Sequence, residues 1–219
     1  MHMSSGKKYI YLVRHGKSRA NETGVRESDP HATPLTEEGR QQAKIVAERF
    51  KTIPIELVMT SPYIRAHDTA DEIARVKNVP VEVIEHAYER IFPVGEAANK
   101  PLTVPAIQKI YRELDTRWRT GAAVDGGEGF YQVLERVKAT SEVLAARPET
   151  HIALATHGLF TKMFVAYHLL HEYLTPELFM ESIMFRMKSQ NTGITFFEIT
   201  KEGNWILLAW NDYAHLGEL

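Results

Sequence analysis

Short, wholly apolar runs alternate along this chain with longer stretches in which apolar residues recur at helical spacing. Tyr9-Ile10-Tyr11-Leu12-Val13 places five apolar or aromatic residues in a row, the mark of a strand buried on both faces. Ile55 to Thr60, Val81 to Ile84 and His151 to Thr156 predict further strands. Between them lie helical stripes. Ala43, Val46, Ala47 and Phe50 form one, with Thr36 as cap and Glu37 and Glu38 in the first turn, where the helix dipole favours anions. Ala66, Ala70, Ile73 and Ala74 form the next, after Ser61-Pro62, which reads as a cap with proline at the first helical position. Ile107, Ile110, Tyr111, Leu114 and Trp118 mark a third, and Phe130, Val133, Leu134, Val137 and Leu144 a fourth. A fifth, after His157-Gly158, carries Phe160, Met163, Phe164, Tyr167 and Leu170, and Thr175-Pro176 opens a short helix.

The end of the chain reads as a hairpin, Gly193 to Thr200 and Trp205 to Trp210 about a Glu202-Gly203-Asn204 turn. Two stretches break the rhythm. Arg19 to Pro34 is polar and rich in turn residues, and predicts a loop over the carboxyl end of the first strand. Glu85 to Pro105, with prolines at 93, 101 and 105, is the longest irregular stretch. Strands alternating with helices predict a three-layer α/β/α domain with a mainly parallel central sheet and an antiparallel C-terminal edge hairpin. No repeat or linker divides residues 1–219, so a single domain is expected, with a disordered leader over residues 1–7.

Composition narrows the function classes. The 219 residues suffice for a substantial core without metal or disulfide support. A formal net charge of -2 argues against a broad nucleic-acid footprint, which calls for a basic face. With no cysteine there is no disulfide scaffold, thiolate nucleophile or cysteine metal site. No apolar run is long enough to span a bilayer, and no signal-peptide core follows Met1, so a cytoplasmic setting without membrane partners is expected.

Chemistry-bearing residues collect at predicted strand ends, where ligands sit in open α/β sheets. Arg14 and His15 follow the first strand, Ser61 and Arg65 the second, and His157 the fourth. If the sheet is parallel, these ends face one side. Two guanidinium groups and two imidazoles gathered there suit an anion, since arginine's planar fork matches phosphate oxygens and a neutral imidazole can act as nucleophile. Taken singly, each has a plainer reading: a solvated turn for Arg14-His15, a hydrogen-bonded core histidine for His157, a helix-face cation for Arg65. His168 and His171, three apart on a helix, could share a metal, but with no third ligand in view they read as packing and surface residues.

Leu12-Val13-Arg14-His15-Gly16, Ser61-Pro62 with Arg65 and Thr69-Ala70, and Thr156-His157-Gly158 together resemble the histidine phosphatase superfamily, which includes the phosphoglycerate-mutase-like enzymes. Asn21, Leu35-Thr36 with Gly39, Gln42-Ala43, Asn191-Thr192 and His215-Leu216 extend the resemblance across nearly the whole chain. The resemblance implies a phosphomonoesterase that uses no metal and no cofactor and acts on a small phosphorylated substrate. His15 would be the nucleophile, with Arg14, Arg65, His157, Asn21 and Thr192 around the phosphate. An acid after the third strand would protonate the leaving oxygen: Glu89, or else Glu85. Two other readings stay open, a phosphoglycerate mutase and a non-catalytic phosphoester- or phosphoprotein-binding module. Gly129, where mutase-type members tend to carry serine, favours hydrolysis. Lys17, where many relatives carry an acid, would add positive charge at the mouth, and His67-Asp68 departs from the usual glutamine-containing helix start. Substrate identity and oligomeric state are not written in these motifs.

Overall fold

In the computed structural model, which describes residues 6–25, 31, 33–93, 97 and 99–217, six strands form one sheet in the order β3-β2-β4-β1-β5-β6. β1 (Lys8–Arg14) lies inside it, parallel to β4 (His151–Thr156) and antiparallel to β5 (Ile194–Ile199). β2 (Leu57–Thr60) runs parallel to both β4 and β3 (Val81–Val83), and β6 (Trp205–Asp212) closes the antiparallel edge.

The apolar run of β1 is buried on both faces, as its sequence predicts. Ile10 and Leu12 point into a core shared with α5 (Phe130–Ala146) and α6 (Gly158–Leu170), while Tyr11 and Val13 point into one shared with α2 (Glu37–Arg49) and α3 (Ile64–Lys77). This two-faced burial fixes the register, because slipping β1 by one residue would exchange its faces. α4 (Pro105–Thr120) adds Trp118 to the first core, and α7 (Pro176–Leu178) runs into a π-helical turn at Phe179–Met184.

Four expectations need adjustment. The stretch after β1 is not all loop, because Ser18 and Asn21 form a capping box that starts a short helix, α1 (Arg19–Thr23), closed by Gly24 at φ 63°. Residues 26–30 and 32 of the same stretch lie outside the described residues, as do 94–96 and 98 of the longer irregular stretch. An antiparallel bridge between Val25 and Pro101 joins these two stretches. Ser61 does not cap α3: the helix begins at Ile64 behind Tyr63, and the Ser61 hydroxyl is engaged elsewhere. The third strand stops at Val83, and the second begins at Leu57 rather than Ile55. Of the expected leader, residues 1–5 lie outside the described residues, whereas Lys7 pairs with Glu198 at 2.9 Å.

Lys8 is itself buried, its ammonium donating to the Leu144, Ala145 and Arg147 carbonyls that end α5. His168 is a packing residue, stacked on Trp205 at 4.2 Å and hydrogen-bonded to Ser141.

Candidate active site

β1, β2 and β4 are parallel, so their carboxyl ends share one side of the sheet. Arg14 is the last residue of β1 and His15 the first beyond it. The register sets Arg14 beside Thr156, which places His157 next to His15, ring centroids 5.1 Å apart.

The turn after β1 is held from three directions. Gly16 N donates to Thr69 Oγ1 (3.1 Å), Lys17 N to Gln42 Oε1 (2.8 Å), and Thr36 N to Lys17 O (2.9 Å). Asn191 Nδ2 donates to His15 O (2.9 Å). Backbone meets backbone here: a Cβ on Gly16 would lie 2.4 Å from Gly39 O, and one on Gly39 2.0 Å from Lys17 O. Only glycine permits this approach, which explains the Thr36-Gly39-Gln42 and Thr69 positions physically.

His15 is buried, and its Nδ1 faces Gly16 O at 2.7 Å. A carbonyl only accepts, so Nδ1 carries the proton and Nε2 keeps its lone pair. Arg65 Nε donates to that Nε2 at 3.3 Å, while its guanidinium lies over the Tyr63 ring at 4.8 Å. Desolvation, then Arg65 and Arg14, hold the His15 imidazole well below the ordinary histidine pKa, against the opposing Gly16 hydrogen bond. His157 is held well below it too, again by burial first and then by Arg65, His15 and Arg14. The site therefore presents a neutral imidazole lone pair among fixed cations.

His157 Nε2 meets Ser61 Oγ at 2.8 Å, and that oxygen also accepts the Tyr63 amide (3.3 Å). With the hydroxyl proton turned toward Nε2, the ring's own proton sits on Nδ1, a buried atom with no partner among the described residues. Arg14 Nε is likewise buried without a partner, while Arg14 Nη1 donates to Ser189 O. Orphaned buried donors are rare and costly, and an anion seated here would relieve them. Gly158 leaves room for the arginine, since a Cβ there would lie 3.3 Å from Arg14 Nε.

Glu89 reaches the same region from the irregular segment after β3. Its Oε2 accepts Leu159 N (3.1 Å), and its Oε1 accepts Phe160 N (3.2 Å) and Arg90 N (3.0 Å). The carboxyl group thus sits on the N-terminus of α6, which follows His157 directly. Burial lowers the pKa of Arg14, with Glu89 acting in the opposite direction. Glu85 is exposed in the turn directly after β3.

The remaining expected residues divide. Asn21 Oδ1 accepts from Ser18 N, Ser18 Oγ and Asn191 Nδ2, which leaves its amide NH₂ for another acceptor. The Thr192 hydroxyl, expected at the phosphate, has partners within the chain. That group donates to Asn191 O (2.7 Å) and lies 3.0 Å from His215 Nε2. Thr192 N donates to Arg14 O (2.9 Å), and the residue holds φ 58°, a costly conformation for a β-branched side chain. It braces the turn from behind. Lys17 is no unmatched charge at the mouth, because Glu38 takes its ammonium at 2.6 Å.

Sequence reasoning passed over Arg136, which binds Glu128 with two 2.7 Å hydrogen bonds behind Glu89. A signal was present: Arg136 stands three residues after Val133 and beside Val137, a charge on an apolar helix face.

A mainly parallel sheet with histidines and arginines at its carboxyl edge defines an anion-handling α/β protein. The chain belongs to the histidine phosphatase superfamily (branch 1), whose sequence profile matches residues 10–213. It is 32% identical over 143 residues to phosphoserine phosphatase 1 of Hydrogenobacter thermophilus, covering 63% of this chain and 64% of that one. It is also 32% identical over 130 residues to the adenosylcobalamin/alpha-ribazole phosphatase of Salmonella typhimurium, covering 59% and 63%. The match thus spans less than two thirds of the length of either curated relative. In three dimensions it superposes on Bacillus stearothermophilus YhfR with a TM-score of 0.78 at 22% identity, covering 95% of this chain and 99% of that one. A mycobacterial glucosyl-3-phosphoglycerate phosphatase gives 0.73 at 24% identity, covering 94% and 99%. These structural likenesses establish the fold.

Proposed function

We propose that the protein hydrolyses phosphate monoesters through a phosphohistidine at His15. The observation that carries this reading is the neutral His15 ring, its Nδ1 proton committed to Gly16 O and its Nε2 lone pair facing Arg65.

In the first step Nε2 attacks phosphorus and the bond to the leaving oxygen breaks, that oxygen taking a proton from the Glu89 carboxyl. Arg14, Arg65 and His157 hold the non-bridging oxygens, and their fixed donors stabilise charge as it spreads in the transition state. Asn21 adds its amide NH₂, while Thr192 acts through Arg14. In the second step the Glu89 carboxylate accepts a proton from water as that water attacks phosphorus. The P–N bond breaks, its electrons return to Nε2, and inorganic phosphate leaves. Glu89 is preferred to Glu85 because it is tied to Leu159 and Phe160, two and three residues beyond His157.

Small phosphorylated metabolites are the substrate class of this reading and the cytoplasm its setting. Among the described residues no helix is long and apolar enough to cross a membrane. The two curated relatives described above carry phosphatase names, in keeping with hydrolysis.

The test is to supply p-nitrophenyl phosphate, and separately phosphoglycerate with its bisphosphate, to the wild-type protein and to His15→Ala. Stoichiometric release of inorganic phosphate by the wild type alone is expected. Rapid isomerisation without phosphate release would favour a mutase. Phosphate binding without turnover from about pH 4 to about pH 9 would make the protein a binding module.

A further inference from the structure

The segment that carries Glu89, residues 87–93, belongs to no strand or helix, so its backbone polar groups need partners from outside. Arg136, on α5, supplies one inside the segment and one just before it. Its Nη1 donates to His86 O (2.8 Å) and Tyr88 O (2.7 Å), on the chain just before Glu89. Its Nε and Nη2 donate to the two oxygens of Glu128, both at 2.7 Å. Glu128 in turn takes the chain just beyond: Oε2 accepts Ile91 N (2.9 Å), and Glu128 N donates to Ile91 O (3.0 Å). Both side chains of the pair are only 9% exposed, and the guanidinium lies 3.7 Å from the Tyr88 ring centroid.

We propose that Arg136, together with Glu128, is a positioning residue for Glu89: the pair grips the backbone on both sides of the acid and holds its carboxylate against the N-terminus of α6, at the leaving-group side of the site. This rests on the reading of Glu89 as the general acid. A buried ion pair is an expensive way to fill space, since an apolar pair of the same volume often does as well. Apolar side chains, however, would leave His86 O, Tyr88 O and Ile91 N unsatisfied. Arginine's planar fork is what allows one side chain to serve two carbonyls and a carboxylate together, and lysine cannot reproduce it.

The experiment compares kcat/KM for a simple alkyl phosphate and for p-nitrophenyl phosphate in wild type, Arg136→Lys, Glu89→Gln and the double variant. In kcat/KM, which does not include breakdown of the phosphoenzyme, a misplaced acid harms only substrates that need protonation on departure. Arg136→Lys is expected to lose about tenfold or more on the alkyl phosphate and less than about threefold on the aryl one. In the double variant the alkyl substrate should fall no further than with Glu89→Gln alone, since Arg136 acts through Glu89. Equal losses on both substrates, or additive losses in the double variant, would reduce Arg136 to general structural support and overturn the proposal. If Glu89→Gln itself shows no preference between the substrates, the assignment of the acid fails instead. Where Arg136→Lys does not fold, Glu128→Met combined with Arg136→Met removes both charges at similar volume. The same selective loss supports the proposal there, and full alkyl phosphatase activity overturns it.

Discussion

His15 and Glu89 both follow strands of one sheet, yet they are placed by different means. His15 comes directly after β1, an interior strand paired along its length on both sides. Its turn is fixed by Thr69, Gln42, Asn191 and the close meeting of Gly16 with Gly39. Glu89 stands several residues beyond β3, a short strand paired on one side only, in a segment held by Arg136 and Glu128, with the Thr156 hydroxyl donating to Ala87 O. In the proposed mechanism the anion-holding half of the site thus follows from sheet geometry, whereas the acid half depends on a buried ion pair between α5 and the chain just before it. In kcat/KM, which reports the step that forms the phosphoenzyme, perturbing the first half should harm every substrate, and perturbing the second only demanding ones.

The largest effect separating the halves is expected at Arg65. Arg65→Ala should lower turnover of an activated aryl phosphate by about a hundred- to a thousandfold, as removal of one oxyanion-hole donor does elsewhere. Steady-state kinetics with p-nitrophenyl phosphate measures it. The melting temperature should change little. Arg65 helps hold the His15 pKa down, so the acidic limb of the kcat/KM profile should move up toward neutrality in this variant. A large fall in melting temperature with activity retained would show Arg65 to be structural.

Gly16→Ala probes the same half through its backbone. The added Cβ would lie 2.4 Å from Gly39 O, so the turn must shift or α2 must give way. Denaturant unfolding should report a loss of about 1–3 kcal/mol, typical of overpacking, with activity lost on aryl and alkyl substrates alike. Selective loss on alkyl phosphates would erase the contrast between the halves.

A smaller, graded effect concerns pH. Besides His15 and His157, burial holds His168 down to about 3 and His215 down to about 4. Each is neutral in the fold but takes a proton in the unfolded chain below about pH 6.5, so the unfolded state binds more protons there. Stability should be full above that pH and fall as pH drops toward the folded values, by about 1.4 kcal/mol per pH unit for each such histidine. Unfolding measured at several pH values between about 7 and about 5 checks this. His15→Ala should flatten the slope, and an unchanged slope would mean that His15 is not held neutral.

Much of the site was legible because its residues sit at ends of apolar runs. Arg14, His15 and His157 are marked by where β1 and β4 stop, and a parallel sheet brings such ends together without further information. Glu89 was reached by resemblance, since nothing local distinguishes it from Glu85. Ser61 was misread as a helix cap because serine before proline carries the same signal whether its hydroxyl turns to a helix or, as here, to His157. The partners of the Thr192 hydroxyl, Asn191 O and His215 Nε2, were not legible because the left-handed backbone at 192 is not marked by its residue type. Arg136 and Glu128 went unread because their meaning lies in carbonyls 48 and 50 positions before Arg136 and an amide 37 positions before Glu128.

The most direct test of the whole account is acid-labile phosphoryl trapping. Wild-type protein mixed rapidly with labelled substrate and quenched in alkali should carry up to about one phosphoryl group per chain. That group should be stable in base and lost in mild acid, and should map to the peptide containing His15. His15→Ala should carry none while keeping a wild-type fold. Label on another residue, or steady turnover with no phosphoenzyme at any quench time, would contradict the role given to His15.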